Sequence, residues 1–245
     1  MRILVFQHAR VEHPGVFREF WAERRDSWQA VELDEGEAIP DLTPFDLLLV
    51  MGGPMDVWQA DLHPWLVLEK AAIRHWVAEL GRPYLGICLG HQLLADAMGG
   101  KVSLMTRPEV GLADVNLTAA GLGDPLLAGF APAVETFQWH GAEISRLPGG
   151  ATVLAENAAC STQAIRWGRH AYGFQYHVEI TPETVTEWAR IPDYQSSLER
   201  SLGTERARGL DGEVGKRLPD FRIAAKRLDR NIATIVEGAK ATRVR

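Results

Sequence analysis

Cysteine is scarce in this chain of 245 residues, which has two, Cys88 and Cys160. At most one bridge can form, so the sequence is not that of a secreted disulfide scaffold. Long apolar runs are missing as well: the first, Ile3–Phe6, has four residues and the densest, Leu47–Met51, has five. Both fall well short of a signal-peptide core or a membrane span, so a soluble, cytoplasmic protein is expected. There is no internal repeat, no low-complexity tract and no Gly-rich phosphate loop of the Walker type. Positive charge is thin where it would matter for nucleic acid. Residues 191–245 hold 12 Lys and Arg against 8 Asp and Glu, which leaves 14 against 24 for residues 1–190. An acidic body with a dilute basic tail argues against nucleic acid as a partner.

What is present fits a globular protein: 46% of residues are hydrophobic and 24% charged. A chain this long buries roughly 70–75% of its unfolded surface and needs no covalent staple. Short apolar runs alternate with longer amphipathic stretches, the pattern of parallel strands joined by helices. Strands are expected at Arg2–Gln7, Ala30–Leu33, Asp46–Met51 and Pro83–Ile87. Helices are expected over Pro14–Arg25, His63–Leu80 and His91–Met98. From 101 to 176 the signals turn to β, with runs at Lys101–Leu104, Gly111–Leu117, Val134–Trp139, Thr152–Ala155, Gln163–Trp167 and Ala171–Tyr176. Thr181-Pro182 reads as a helix start with a hydroxyl N-cap. Past Pro192 the chain becomes polar, and Phe221 to Val236 repeat at three and four as one apolar helical face. The expected architecture is α/β, a doubly wound, mostly parallel sheet with helices on both faces, as domain 1–191. Residues 192–245 form a C-terminal helical extension packed on that domain or on a second copy in a homo-oligomer.

The sharpest local signal is Gly86-Ile87-Cys88-Leu89-Gly90. A nucleophile on an abrupt strand-to-helix turn is held out above the sheet edge, and its neighbours must be glycine for lack of room. The helix N-terminus behind it favours a thiolate, and the Leu89 N–H points where an oxyanion would form. The plainer reading of the pattern is a buried cysteine in a Gly-rich turn. A thiolate needs a base, and His177 stands at the end of the apolar run Tyr172–Val178 with Glu179 two places on. In an extended chain i and i+2 share a face, so the carboxylate can hold the second imidazole nitrogen; taken alone, such a pair is more often a solvated rim. Gly52-Gly53-Pro54 closes a buried strand, where Gly53 could offer a second oxyanion donor or make an ordinary turn. All three elements sit at carboxyl ends of expected strands, where ligands bind in open α/β sheets.

The remaining candidates are weaker. His91 lacks the companions a zinc site needs. His8, His13, His63, His75 and His170 show no partner pattern and read as solvated surface. Cys160 reads as an ordinary thiol, and Trp21, Trp65, Trp76 and Trp188 as packing residues of amphipathic helices.

Tyr84-Leu85-Gly86-Ile87-Cys88-Leu89-Gly90-His91-Gln92, Gly52-Gly53-Pro54 and Phe174-Gln175-Tyr176-His177-Val178-Glu179 resemble the three signature segments of class I glutamine amidotransferase domains of the GMP synthase type. The resemblance spans about residues 1–190. It implies a flavodoxin-like α/β domain that hydrolyses the side-chain amide of glutamine without metal or organic cofactor. Carried over by position, it implies Cys88 as nucleophile, His177 as general base and acid, Glu179 as its orienting partner, and Gly53 and Leu89 as oxyanion donors. Gln92 matches a position that contacts glutamine. Gly52 lies beside the oxyanion glycine, and Gln138-Trp139-His140-Gly141 falls where many members carry a Ser-His-Gly-Asp-like stretch near the substrate backbone.

Two departures stand out. Val178 occupies a position that is usually proline, and Trp139 and Ala142 replace the serine and the acid. A large aromatic at 139 could suit the pocket to something other than free glutamine. The stretch after Glu179 is too short for an ATP-dependent synthetase. Three readings stay open: a glutaminase passing ammonia to a separate synthetase, a stand-alone hydrolase of γ-glutamyl amides or peptides, and a non-catalytic binding or regulatory subunit. In each the partner is a small molecule, glutamine or a γ-glutamyl compound, and neither nucleic acid nor membrane.

Overall fold

The computed structural model describes residues 1–243. Five strands form a parallel half-sheet: β1 (Arg2–Gln7), β2 (Ser27–Glu32), β3 (Leu47–Val50), β4 (Tyr84–Ile87) and β9 (Ala171–Phe174). Four more continue it antiparallel: β5 (Lys101–Leu117), β6 (Ala133–Arg146), β7 (Ala151–Glu156) and β8 (Ala164–Trp167). Among the described residues the order is β2-β1-β3-β4-β9-β8-β7-β5-β6. The sheet is therefore mixed, with four parallel pairings at one end and four antiparallel ones at the other.

Period-two alternation sends each parallel strand's side chains to two cores. Ile3, Val5, Leu47, Leu49 and Leu85 pack under α1 (Phe17–Arg24) and α7 (Leu218–Arg243). Leu4, Phe6, Leu48 and Val50 pack under α2 (Trp65–Arg74) and α3 (Leu89–Ala97). Both faces are covered, which is why β3 is apolar throughout. A third core holds Phe137, Trp139 and Trp188 against α6 (Pro192–Gly215), and α5 (Thr184–Trp188) leads into it. The short α4 (Ala119–Leu122) follows β5. In α6 the chain breaks helical geometry at Gly203, whose φ is 72°. On α7, Phe221, Ala225, Leu228, Ile232 and Val236 are buried. Asp229 of the same helix accepts from Trp21 Nε1 at 3.1 Å and pairs with Arg24, tying it to α1.

Several elements differ from the periodicity reading. β2 begins at Ser27; at the sheet edge it pairs with β1 alone, and its first three residues are exposed, so little apolar signal marks it. The two runs between 101 and 117 form one strand, β5, because the ladder to β6 resumes after a bulge between Leu104 and Glu109. β9 stops at Phe174 instead of running to Tyr176. Beyond it the chain meets β6 through a bridge of His177 to Phe137, with the His177 N–H on the Phe137 carbonyl at 2.8 Å. Thr181 is not a hydroxyl cap: its N–H donates to Thr184 Oγ1 at 2.9 Å, and the helix starts at Thr184.

Candidate active site

The carboxyl ends of β1, β3, β4 and β9 and the crossing of β6 meet at one point of the molecule. Cys88 lies there between β4 and α3, in left-handed backbone with φ 52° and ψ −105°. A non-glycine residue in such a conformation costs on the order of 1–3 kcal/mol and persists only where its surroundings impose it. Two bonds do so: the Cys88 N–H donates to the Phe174 carbonyl at 2.7 Å, and its own carbonyl accepts from the Gln92 N–H at 3.2 Å. The flanking glycines answer to close backbone approach. A Cβ on Gly86 would stand 2.5 Å from the Gly90 carbonyl carbon, and one on Gly90 would stand 2.2 Å from the Val50 oxygen.

Cys88 is buried, with 5% of the residue exposed. Gln175 Nε2 lies 3.7 Å and the Trp139 carbonyl 3.9 Å from its sulfur. On the adjoining segment, His177 Nδ1 is 2.7 Å from Glu179 Oε1, while Glu179 Oε2 accepts the Val178 N–H at 2.9 Å. With Nδ1 engaged, Nε2 is the nitrogen left for the sulfur. Burial alone pushes the His177 imidazole down in pKa. The Glu179 charge and the hydrogen bonds to Cys88 and Glu179 outweigh burial and hold it well above the usual histidine range. Trp188 presents its ring against the imidazole, centroids 4.7 Å apart, and fixes its plane. So Cys88, His177 and Glu179 are brought together, although His177 lies beyond the regular strand.

Leu89 is the first residue of α3, where an N–H has no intrahelical acceptor; the next, on Gly90, is bonded to the Met51 carbonyl at 3.1 Å. Gly53 and Leu89 line one cavity of about 220 Å³ that opens over Cys88. Gln92, Trp139 and His140 line it too. Gln92 donates to Gln175 Oε1 at 3.0 Å and to the Ala142 carbonyl at 3.2 Å. His140 is oriented by Glu109, 3.1 Å from Nε2. The Trp139 indole packs on α6 and donates to Ser197 Oγ at 2.9 Å, while its backbone carbonyl faces the sulfur. Gln138 and Gly52 are not brought to the cavity wall. Gln138 is fully buried and donates to Thr136 Oγ1 at 2.9 Å and to Gln163 Oε1 at 3.2 Å. Gly52 is packed behind the site, where a Cβ would come within 2.5 Å of Glu12 Oε2.

Other groups here had no signal in periodicity. His8 is a correction to the solvated reading: it is buried at the end of β1, with Nδ1 at 2.8 Å from the Gly52 carbonyl and Nε2 at 2.8 Å from Glu69 Oε1. Burial opposes its protonation, but Glu69 and the Gly52 carbonyl raise its pKa on balance. Glu12 is buried beside His177; Tyr194 of α6 donates its phenolic O–H to Oε1, and Oε2 has no partner. Burial drives the Glu12 carboxyl to about 7 against the opposing pull of His177 and Tyr194. The position of Glu12, five residues past β1 at a strand's carboxyl end, is the signal that could have flagged it. Burial takes the His91 imidazole down to about 3 and the Cys160 thiol up to about 11, so neither is charged near neutrality. Among the described residues no group of three or more His, Cys, Asp or Glu side chains is placed to hold a metal ion, and no helix is long and apolar enough to cross a membrane.

The chain is similar to several known proteins. The family model described as glutamine amidotransferase class-I matches residues 23–188. The glutamine amidotransferase-like protein YfeJ of Salmonella typhimurium is 35% identical over 192 residues, 76% of this chain and 78% of that protein. One subunit of the glutamine-hydrolyzing GMP synthase of Sulfolobus acidocaldarius is 32% identical over 154 residues, 62% of this chain and 77% of the relative. The crystal structure of a glutamine amidotransferase from Thermotoga maritima superposes with a TM-score of 0.82 at 25% identity, covering 95% of this chain and 98% of that one. With the signature turn, the sheet order and a family match over more than half its length, the chain belongs to the class I glutamine amidotransferases.

Proposed function

We propose that the protein cleaves the γ-amide of glutamine or of a γ-glutamyl compound by covalent catalysis at Cys88. One observation carries this reading: a cysteine held in left-handed backbone at a helix N-terminus, beside an imidazole whose far nitrogen is bound by a buried carboxylate at 2.7 Å. The Cys88 thiolate attacks the γ-carbonyl carbon; a C–S bond forms and the carbonyl electron pair moves to oxygen. That oxyanion is met by the N–H groups of Leu89 and Gly53. The His177 imidazolium gives its proton to the amide nitrogen, the C–N bond breaks, and ammonia or an amine departs from a γ-glutamyl thioester. Water then attacks the thioester while His177 takes its proton, the C–S bond breaks, and glutamate and the thiolate are released. Glu179 keeps the imidazole in register through its contact with Nδ1. Gln175 supports the thiolate by its contact with the sulfur.

The similarity to one subunit of a glutamine-hydrolyzing GMP synthase supports a separate protein chain as acceptor of the ammonia. The test is glutamate release from glutamine and a panel of γ-glutamyl amides and peptides, with Cys88→Ala as control. Turnover that vanishes in the variant is expected. No turnover of any compound, with Cys88 also inert to an electrophilic glutamine analogue, would leave a binding module. Turnover of glutamine that rises with an added synthetase would identify the acceptor, and cleavage of peptides alone would assign a stand-alone hydrolase.

A further inference from the structure

The Gly52 carbonyl and the Gly53 N–H belong to one planar trans amide, so they point in opposite directions. The carbonyl is engaged by His8, whose Nδ1 lies 2.8 Å from its oxygen. His8 is buried behind the site, whereas Gly53 lines the cavity over Cys88. The N–H of that amide is therefore turned away from His8, to the cavity side, and among the described residues it has no hydrogen-bond partner. With glycine on both sides, no Cβ bars the amide from turning over. Turned over, it would present a carbonyl oxygen to the cavity and repel an oxyanion.

What holds the amide is His8, itself fixed by its surroundings. Its Nε2 lies 2.8 Å from Glu69 Oε1 of α2, and its ring stacks on Trp65 with centroids 5.4 Å apart and planes inclined by 13°. Neither the His8 nor the Glu69 side chain reaches solvent. A carbonyl only accepts, so the proton on Nδ1 is donated to Gly52. That holds whichever of His8 and Glu69 carries the proton between them. We propose that His8 is a positioning residue for the oxyanion hole, with Glu69 as its support: the bond from Nδ1 to the Gly52 carbonyl locks the amide so that the Gly53 N–H stays presented to the oxygen that becomes negative. The inference rests on the reading that Cys88 attacks the γ-carbonyl. Neither side chain touches the substrate; Glu69 fixes the imidazole, the imidazole fixes the amide, and the donor needs no reorientation during the reaction.

Two substitutions separate the two ring nitrogens. His8→Asn keeps a donor near the place of Nδ1 and loses the reach to Glu69, whereas His8→Gln keeps that reach and loses the donor to Gly52. In the full chain His8→Gln should lower kcat for glutamine by about 10²-fold, the worth of one oxyanion donor, with KM within about three-fold. His8→Asn should lose less than about ten-fold. Alkylation of Cys88 by iodoacetamide, read on the peptide that carries it, builds no oxyanion and should stay within about two-fold in both. Glu69→Gln, nearly isosteric, repeats the test should His8→Gln not fold: kcat should fall about five-fold, the worth of one hydrogen bond, at unchanged alkylation. A loss under about ten-fold in His8→Gln, equal losses in His8→Asn and His8→Gln, or alkylation that slows in step with turnover would overturn the positioning role. The γ-aldehyde analogue of glutamine reads the same donor without turnover, because its C–S bond to Cys88 forms as the carbonyl electron pair moves to oxygen. Adduct affinity that falls in His8→Gln, in a protein that cleaves nothing, would refute amide cleavage and keep the positioning role. Turnover and adduct affinity both indifferent to His8 would do the reverse, and neither turnover nor adduct would discard both.

Discussion

Tyr194 and Glu12, separated by 182 positions in the chain, share a hydrogen bond beneath the His177 imidazole. Through it helix α6 touches the loop after β1, and that loop in turn packs on Glu179: the Val16 N–H donates to the Glu179 carbonyl at 2.8 Å. His177 thus has an acid on two sides, Glu179 bonded to Nδ1 and Glu12 facing it without a bond to it.

Glu12 makes stability depend on pH with a definite sign. Its carboxyl titrates near 4.5 when unfolded and about 7 when folded, amid His8, His177, Glu179 and Tyr194. Between those values the folded protein binds the extra proton, so stability is full below 4.5 and falls as pH rises through 7. The span corresponds to roughly 3.4 kcal/mol, and the part crossed between pH 5 and pH 8 to roughly 2.5 kcal/mol. Urea unfolding at pH 5 and pH 8 should show that Glu12→Gln flattens the profile by about that amount; parallel profiles would refute the assignment.

Glu179→Gln keeps the shape at His177 and removes the charge. The imidazole loses the partner that fixes its tautomer and supports its protonated form, so kcat should drop by about 10²–10⁴-fold with little change in unfolding temperature. Alkylation of Cys88 by iodoacetamide should slow in parallel. A loss of less than about three-fold would deny Glu179 its orienting role.

Gly90→Ala tests the turn that carries Cys88. The new Cβ would fall 2.2 Å from the Val50 carbonyl oxygen and 2.8 Å from its carbon. Backbone cannot yield as a flexible side chain does, so either β3 or α3 must shift. We expect a stability loss of about 2 kcal/mol or more together with loss of Cys88 reactivity. Thermal denaturation that matches the parent would show the approach to be looser than described.

Asp229→Ala separates folding from chemistry. It strips the Trp21 indole N–H of its buried acceptor and frees Arg24, at a cost of about 2 kcal/mol, while sitting on α7, away from the cavity over Cys88. Unfolding should shift down and kcat should stay within about two-fold. A fall in kcat at saturating substrate, well below the melting temperature, would mean that α7 reaches the site.

Legibility followed the range of the interactions. Gly86-Ile87-Cys88-Leu89-Gly90 could be read from sequence because a strand, a tight turn and a helix cap are local events, and the close approaches at Gly86 and Gly90 leave only one residue type acceptable. Apolar runs such as Leu47–Met51 were readable for a similar reason, since a strand covered on both faces has no polar position. The edge strand β2 and the bulge in β5 were not, because an edge tolerates polar residues and a bulge depends on the partner strand. Gln138 looked like its neighbours Trp139 and His140, and its bond to Gln163, on a strand distant in sequence, is what no local pattern announced. His8, Glu12 and Tyr194 carried no local pattern; each is buried by elements distant in sequence.

From residue order alone came the turn at Cys88, the α/β succession of elements and the pairing of His177 with Glu179, all set by contacts within a few residues and by the geometry of one strand or turn. The folded molecule decided the rest: that the imidazole reaches the sulfur across the β6 crossing, that Glu12 and His8 lie buried at the strand ends, and that α6 lines the cavity. Those depend on which surfaces meet when both faces of the sheet are covered, and burial of that kind is a property of the assembled chain.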